Sequence, residues 1–200
     1  MTIGTPNASV KVGDSLILMV NLAPGAKVTS ITNDNGSIGN VWHQAANVQG
    51  NDSNGGATDI WYASNIVSAT NGAIVTINTT AGNNFTGACM FEVSGLSNTA
   101  PQDGGATLDT PAAATTLLSP PISGTSAPEL FLAVSACANT GSTTASVGGL
   151  QFNALNGTGN GLGGCPAGYY IANAPGSYQA GLVQSPAGSG VVAIASFKGP

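Results

Sequence analysis

Charged residues are scarce in this 200-residue sequence, which has 3 Lys and Arg together, 8 Asp and Glu, and 1 His. They make up 6% of the chain, whereas about a quarter is typical of soluble globular proteins. Coiled coils and long solvent-exposed helices depend on Lys, Glu and Arg, so these classes are excluded. Electrostatic binding of nucleic acid needs clustered basic side chains, which the widely spaced Lys11, Lys27 and Lys198 do not provide.

Long apolar segments are also missing. A transmembrane helix needs about 18 or more apolar residues in succession, and the longest strongly apolar run, Leu16 to Val20, lies between Asp14 and Asn21. The first residues, MTIGTPNASVKVGD, contain no basic segment followed by an apolar stretch, so they do not predict a signal peptide. We therefore expect no membrane insertion. Two routes out of the cell stay open: a signal removed beforehand, or release by assembly or lysis, as for virion proteins.

Histidine and cysteine are rare, which restricts the chemistry that the chain can perform. His43 is the only histidine, so one imidazole would have to serve any acid–base, triad or zinc proposal. No G-x-S-x-G nucleophile motif is present. Cys89, Cys137 and Cys165 lack the paired spacing of a zinc site. We interpret them as small buried apolar residues, with a Cys89–Cys137 disulfide as the alternative, and we expect no enzyme.

Short β-rich segments separated by turn residues dominate what the sequence does contain. It has 29 Gly and 11 Pro, which together with Asn and Asp interrupt the chain at short intervals. Several segments between these residues alternate as half-buried strands do; Cys89, Phe91 and Val93, for example, share one face. The predicted strands are 15–22, 28–32, 41–45, 59–63, 73–79, 87–94, 129–136, 145–152, 168–172, 179–184 and 190–197.

Regular short strands with Gly and Asn turns predict an all-β fold, a two-sheet antiparallel sandwich of jelly-roll-like form. No composition break or internal repeat divides the chain, so residues 1–200 are predicted to form a single domain. The segment 95–127 is Pro-rich and weakly patterned, and we expect a long irregular connection there. Within it, PAAATTLL (111–118) is the one candidate for a short helical turn.

Six motifs occur in a characteristic order along nearly the whole chain. They are GDSLILMV (13–20), TNDNGSIGNVW (32–42), IWYA (60–63), FEVSGL (91–96), PELFLAV (128–134) and VVAIASFK (191–198). This order resembles a family of β-sandwich modules from bacterial secreted or surface proteins and phage structural proteins, with GNxW, IWYA-like and EYSGL-like motifs. Glu92 matches that pattern, whereas Val93 replaces the usual aromatic residue. The resemblance implies a jelly-roll-like fold, core positions for Trp42 and Trp61, a non-catalytic extracellular or virion role, and no catalytic residues.

Aromatic side chains are the candidate ligand-binding residues. Tyr169, Tyr170 and Tyr178 are predicted to offer stacking platforms for sugar rings, with Asn and Asp as polar partners. Because neighbouring residues of a strand point to opposite faces, Tyr169 and Tyr170 lie on either side of a sheet, and so do Trp61 and Tyr62. At least half of the rings are therefore expected in the core.

Oxygen-bearing side chains in two turn-like segments are the candidate calcium ligands. Asp34 and Asn35 lie in an Asn–Asp–Asn–Gly stretch, and Asp52 and Asp59 lie in the loop 51–59. Carboxylate and amide oxygens are the ligands that Ca²⁺ prefers, but neither segment completes an EF-hand pattern. Turn formation alone is the alternative explanation. Calcium is the one cofactor that the sequence suggests.

The sequence favours a non-catalytic structural or binding module displayed on a virion, on the cell surface or outside the cell. Uncharged strands and loops suit self-assembly or docking with other protein subunits, because charged edge residues normally prevent such contacts. Adhesion through carbohydrate binding belongs to the same class of function. The alternative is a secreted glycoside hydrolase that uses Glu92 and Glu129 as a carboxylate pair. Its two carboxyl groups would have to lie within about 10 Å of each other.

Overall fold

The computed structural model describes residues 2–4, 10–33, 41–49, 56–67, 74–80, 85–137, 146–148, 153–156 and 167–200. These residues form fifteen strands and no helix. The strands are β1 (Thr2–Gly4), β2 (Ser15–Leu22), β3 (Val28–Asn33), β4 (His43–Gln49), β5 (Ala57–Ala63), β6 (Ile74–Thr79), β7 (Phe85–Val93), β8 (Gln102–Leu118), β9 (Ile122–Gly124), β10 (Glu129–Cys137), β11 (Ser146–Gly148), β12 (Asn153–Asn156), β13 (Ala167–Ala172), β14 (Gly176–Tyr178) and β15 (Gly181–Lys198). The predicted all-β sandwich class is confirmed.

Two antiparallel sheets form the centre of the molecule. The first sheet has four strands in the order β4-β5-β2-β7, and the second has the order β11-β15-β10-β13-β12, with β8 also paired to β15. All eight residues of β2 are buried, because apolar layers cover both of its faces. Such a strand shows a continuous apolar run rather than alternation, which explains the sequence SLILMVNL.

Smaller sheets cover the outer faces of these two. A three-stranded outer sheet, β1-β6-β3, packs on the first sheet, and the pair β14-β9 packs on the second. Alternation in β6 explains how the outer sheet covers the first sheet. Val75 and Ile77 are buried against the first sheet, while Ile74 is exposed. In the described part of the chain, the predicted two-sheet sandwich thus forms the centre, and smaller sheets cover its outer faces.

The central core lies between the first and second sheets. Ile17, Met19 and Ile60 project from the first sheet, and Leu132 and Val134 project from the second. The amide nitrogen Nδ2 of the buried Asn21 in β2 donates to the carbonyl oxygen of Ser135 in β10 at 2.8 Å. This hydrogen bond places β2 opposite β10, which fixes how the two sheets are superposed.

The prediction of a long irregular connection over 95–127 is wrong. Most of it is β8, which pairs with β15 along its length, and β9 follows directly. The alternation signal is missing because β8 contains Gly104, Gly105 and Pro111. Pro111 lies where the register shifts between Thr110 and Ala114, and bulges are where a strand tolerates proline. The candidate helical turn at 111–118 is the second half of β8.

No helix in the part of the chain that the structure describes is long and apolar enough to cross a membrane. Cys89 is buried in β7, as expected for a small apolar residue. The alternative, a Cys89–Cys137 disulfide, stays a prediction. Cys165 lies outside the described residues.

Candidate functional site

An apolar groove, open to solvent, runs along the side of the sandwich where β7 ends the first sheet. We call it the edge groove. It consists of two adjoining cavities of about 150 and 180 Å³, which share Val93 and Leu130. Its apolar lining includes Phe91, Val93, Leu130, Leu132, Tyr169 and Ile171.

Strand alternation explains how these side chains meet. Phe91 and Val93 are two residues apart in β7 and pack against the central core. Across the gap, β10 pairs with β13 so that Leu130 stands beside Ile171 and Leu132 beside Tyr169. Paired residues share a face of an antiparallel sheet. The two sheets therefore present apolar faces to each other where they are not in full contact.

The edge groove contains no charged group among the residues described there. Glu92 borders it, but its carboxylate lies on the outer side of the first sheet, where the backbone N–H of Lys11 donates to Oε1 at 2.5 Å. Glu129 borders it through its strand, but its Oε2 accepts from the backbone N–H of Ser126 at 3.1 Å on the outer side of the second sheet. Ile171 has 49% of its surface exposed. An apolar, uncharged surface of this kind is typical of a protein contact.

A second, polar cavity of about 120 Å³ lies between β3 and the β4–β5 pair. Asp59, only 6% exposed, lies in its wall with Gln44, Asn47 and Lys27. Burial raises the pKa of Asp59 to about 6; hydrogen bonds from the Val28 backbone and from Gln44 Nε2, at 3.3 Å, lower it less. Burial at this cavity therefore favours the protonated carboxyl of Asp59.

Among the groups that change the pKa of Asp59, Trp61 has the smallest effect. Its indole N–H lowers the pKa of Asp59 slightly, yet it is buried without a hydrogen bond of normal geometry.

Only one of the candidate calcium ligands lies in the described structure. Asp34, Asn35 and Asp52 lie outside the described residues. Asp59 faces the polar cavity, and the residues that the structure describes contain no group of three His, Cys, Asp or Glu side chains able to hold a metal. Calcium binding stays a prediction.

The structure separates the three candidate sugar-binding tyrosines. Tyr170 and Tyr178 lie together on the outer face of the second sheet, with ring centroids 5.5 Å apart. Tyr178 also packs on Phe131 at 4.5 Å, and its hydroxyl donates to the carbonyl oxygen of Ala174 at 2.7 Å. Tyr169 lies on the opposite face, in the edge groove. The three rings therefore do not form one stacking surface, and sugar binding stays a prediction.

The two glutamates of the hydrolase alternative are not brought together. Glu92 is exposed on the outer face of the first sheet, whereas Glu129 is buried on the outer face of the second. Two sheets and the central core lie between them, and packed sheets are about 10 Å apart. The two carboxylates thus lie on different faces of the sandwich, and the hydrolase alternative stays a prediction.

His43 is exposed and stacks on Tyr62, with ring centroids 5.2 Å apart. Tyr62 in turn meets the edge of Phe197 at 5.5 Å. Trp42 is buried beside the outer sheet, where its Nε1 donates to Asn33 Oδ1 at 3.0 Å, and Trp61 packs in the same layer. The core position expected for Trp42 is confirmed, whereas Trp61 is partly buried against the same core cluster.

Alternation in the sequence indicated the apolar faces of β7 and β10, but it missed the edge groove. Nothing in the sequence shows that these faces are left partly uncovered, because that depends on how the two sheets are superposed. Ile171 carried the only local signal, as an apolar residue beside two tyrosines. Comparison with known proteins finds no matching family model, no matching curated protein and no matching solved structure.

Proposed function

We propose that this protein is a non-catalytic structural module that associates with further copies of itself through the edge groove. The observation that supports the proposal is the groove itself: an apolar, uncharged surface left open between two otherwise well-packed sheets. Burying apolar surface from water contributes roughly 25 cal/mol for each Å². Covering such a groove with a partner therefore stabilises the complex of the two copies.

The composition supports the same function. With charged residues at 6% of the chain, two copies can approach each other with little charge repulsion and little desolvation of charged groups. Display on a virion or outside the cell, where such modules assemble or attach to surfaces, is the setting that we infer for it. Attachment to glycans would be a separate property of other surfaces.

Oligomeric state tests this function directly. Ile171→Lys places a charge in the edge groove, and we expect it to shift the protein toward monomer in light scattering across a concentration series. The wild-type mass should rise with concentration. Because Ile171 is 49% exposed, the variant should still fold, and thermal unfolding checks this.

Val183→Lys is the matched control, since Val183 is also an apolar strand residue and is 44% exposed. It lies in β15 beside β11, away from the groove. The control should associate as the wild type does. A wild type that stays monomeric at high concentration would refute the proposal, as would equal loss of association in both variants.

A further inference from the structure

The polar cavity between β3 and the β4–β5 pair brings several hydrogen-bonding side chains together. Asp59 of β5 and Asn47 of β4 are directly paired, so their side chains lie next to each other on the same face of the sheet. Gln44 and Lys27 also border the cavity. A few polar groups that converge on one cavity are typical of a binding site for a small polar group.

The carboxylate of Asp59 has capacity for a further hydrogen bond. An ionised carboxylate offers about four acceptor positions. The backbone N–H of Val28, Gln44 Nε2 at 3.3 Å and, weakly, the indole N–H of Trp61 use three of them. Burial raises the pKa of Asp59 in spite of these donors, so an added donor would stabilise the ionised carboxylate. Since Asp59 is only 6% exposed and lines the cavity, the cavity is the direction from which such a donor can approach.

Charge at the cavity favours a neutral ligand. An anion that enters it meets the carboxylate of Asp59, and a cation meets the ammonium group of the exposed Lys27. A hydroxyl group carries no charge and both donates and accepts hydrogen bonds, so it suits acceptors such as Asp59 and donors such as the Asn47 amide. Val28 and Ala57 supply apolar surface beside these polar groups, against which C–H groups can pack.

We propose that the polar cavity binds two adjacent hydroxyl groups at the edge of a sugar ring. One hydroxyl donates to the carboxylate of Asp59, and its neighbour accepts from the side-chain amide of Asn47. The C–H groups of the ring lie against Val28 and Ala57. A cavity of about 120 Å³ admits one edge of a ring, so the ligand is an exposed sugar of a glycan. None of the residues that line this cavity lines the edge groove, so sugar binding is independent of self-association.

An NMR titration of the full ¹⁵N-labelled chain with simple sugars tests the proposal. The probes are methyl α-glucoside, methyl α-galactoside and methyl α-mannoside, at a pH above the pKa of Asp59, which is about 6. A contact through a few hydrogen bonds corresponds to a dissociation constant on the order of millimolar. We expect at least one glycoside to shift the side-chain amide signals of Asn47 and Gln44 in a saturable way.

Substitutions at the cavity should weaken this binding. Asn47→Ala removes one hydrogen bond and should raise the dissociation constant about fivefold. Asp59→Asn keeps the shape of the side chain but removes a charge-assisted bond, and it should raise the constant by at least about tenfold. Asn98→Ala is the matched control, because Asn98 is also exposed but does not border the cavity. The control should bind as the wild type does, and thermal unfolding checks that each variant is folded.

Each outcome of the titration decides the proposal. Absence of saturable shifts with all three glycosides refutes it, and so does equal weakening by Asn47→Ala and Asn98→Ala. Tighter binding of acetate, methylammonium or glycine than of the glycosides refutes a neutral ligand. Tighter binding of N-acetylglycinamide refutes a sugar in favour of a peptide group. Saturable binding of a glycoside that Asn47→Ala weakens and Asn98→Ala preserves supports the proposal.

Discussion

At the scale of single residues, Asp59 is a side chain whose burial opposes folding when it is ionised. It is a carboxylate enclosed between the outer sheet and the first sheet, and burial raises its pKa from 3.8 to about 6. A folded-state pKa above the unfolded value means that ionisation opposes folding. Its contribution to stability is thus fully present below about pH 3.8 and is lost as the pH rises through about 6.

Asp59→Asn should remove this pH dependence. Relative to the wild type, the free energy of unfolding of the variant should rise by about 2.5 kcal/mol more at pH 8 than at pH 4, because one pKa unit corresponds to about 1.4 kcal/mol and the unfolded carboxyl is already partly ionised at pH 4. Urea unfolding at both pH values measures the difference.

Asp103→Asn is a control of opposite sign. The Thr125 hydroxyl and, to a smaller extent, Lys198 keep the pKa of Asp103 below its ordinary value despite some desolvation. Ionised Asp103 therefore favours folding, and its replacement should lower stability more at pH 8 than at low pH. Equal pH profiles for the two variants would contradict the assignment at Asp59.

Two adjacent glycines of β8, Gly104 and Gly105, differ in the space available for a side chain, so substitution by Ala should affect stability differently at each. A Cβ on Gly105 would lie 2.7 Å from the carbonyl oxygen of Ala45 in β4, whereas a Cβ on Gly104 would meet nothing nearer than Ser196 Oγ at 3.4 Å. Gly105→Ala should therefore destabilise the protein by about 2 kcal/mol, as overpacking does. Gly104→Ala should be nearly neutral in urea unfolding, and equal effects would contradict the close approach of β8 to β4.

At the scale of elements, β8 is the strand that fixes the end of the second sheet nearest β4. It pairs with β15, and Gln102 Nε2 donates to the carbonyl oxygen of Ala45 at 2.9 Å. The same carbonyl limits the approach of Gly105. The two sheets are thereby joined at this side, opposite the side on which the edge groove opens.

Leu117→Ala tests whether β8 is an ordered part of the core. Leu117 is 2% exposed and packs against Val192 of β15, so its truncation should cost about 3 kcal/mol. Leu118, the next residue, is 48% exposed, and Leu118→Ala should change the free energy of unfolding by less than about 0.5 kcal/mol. Similar effects of the two substitutions in urea unfolding would place the segment outside the core.

The elements that could be predicted from the sequence are those with a clear apolar pattern. The bounds of β2 are as predicted, and Trp61 and Tyr62 lie on opposite faces of β5, as alternation requires. β8 could not be predicted in this way. Gly105 is explained by the close approach of the Ala45 carbonyl and Pro111 by a register shift, and both are set by distant strands.

At the scale of the whole molecule, the candidate surfaces depend on pairings that no local pattern reveals. Val93 and Leu130 border the same groove because β7 and β10 belong to superposed sheets. Asp59, a predicted calcium ligand at the start of a predicted strand, is buried because β3 covers that part of β5, and local sequence does not reveal this cover. Scarcity of charge indicated an associating surface, but only the structure shows where the sheets leave it open.

The chain order of the second sheet has a consequence for synthesis. β10 must pair with β15, which is made some fifty residues later, whereas the strands of the first sheet lie between Ser15 and Val93. On a ribosome that works at about 5–20 residues per second, the first sheet can form seconds before its apolar inner face is covered. During that interval the nascent chain exposes Ile17, Met19 and Ile60 to its neighbours on the same messenger RNA.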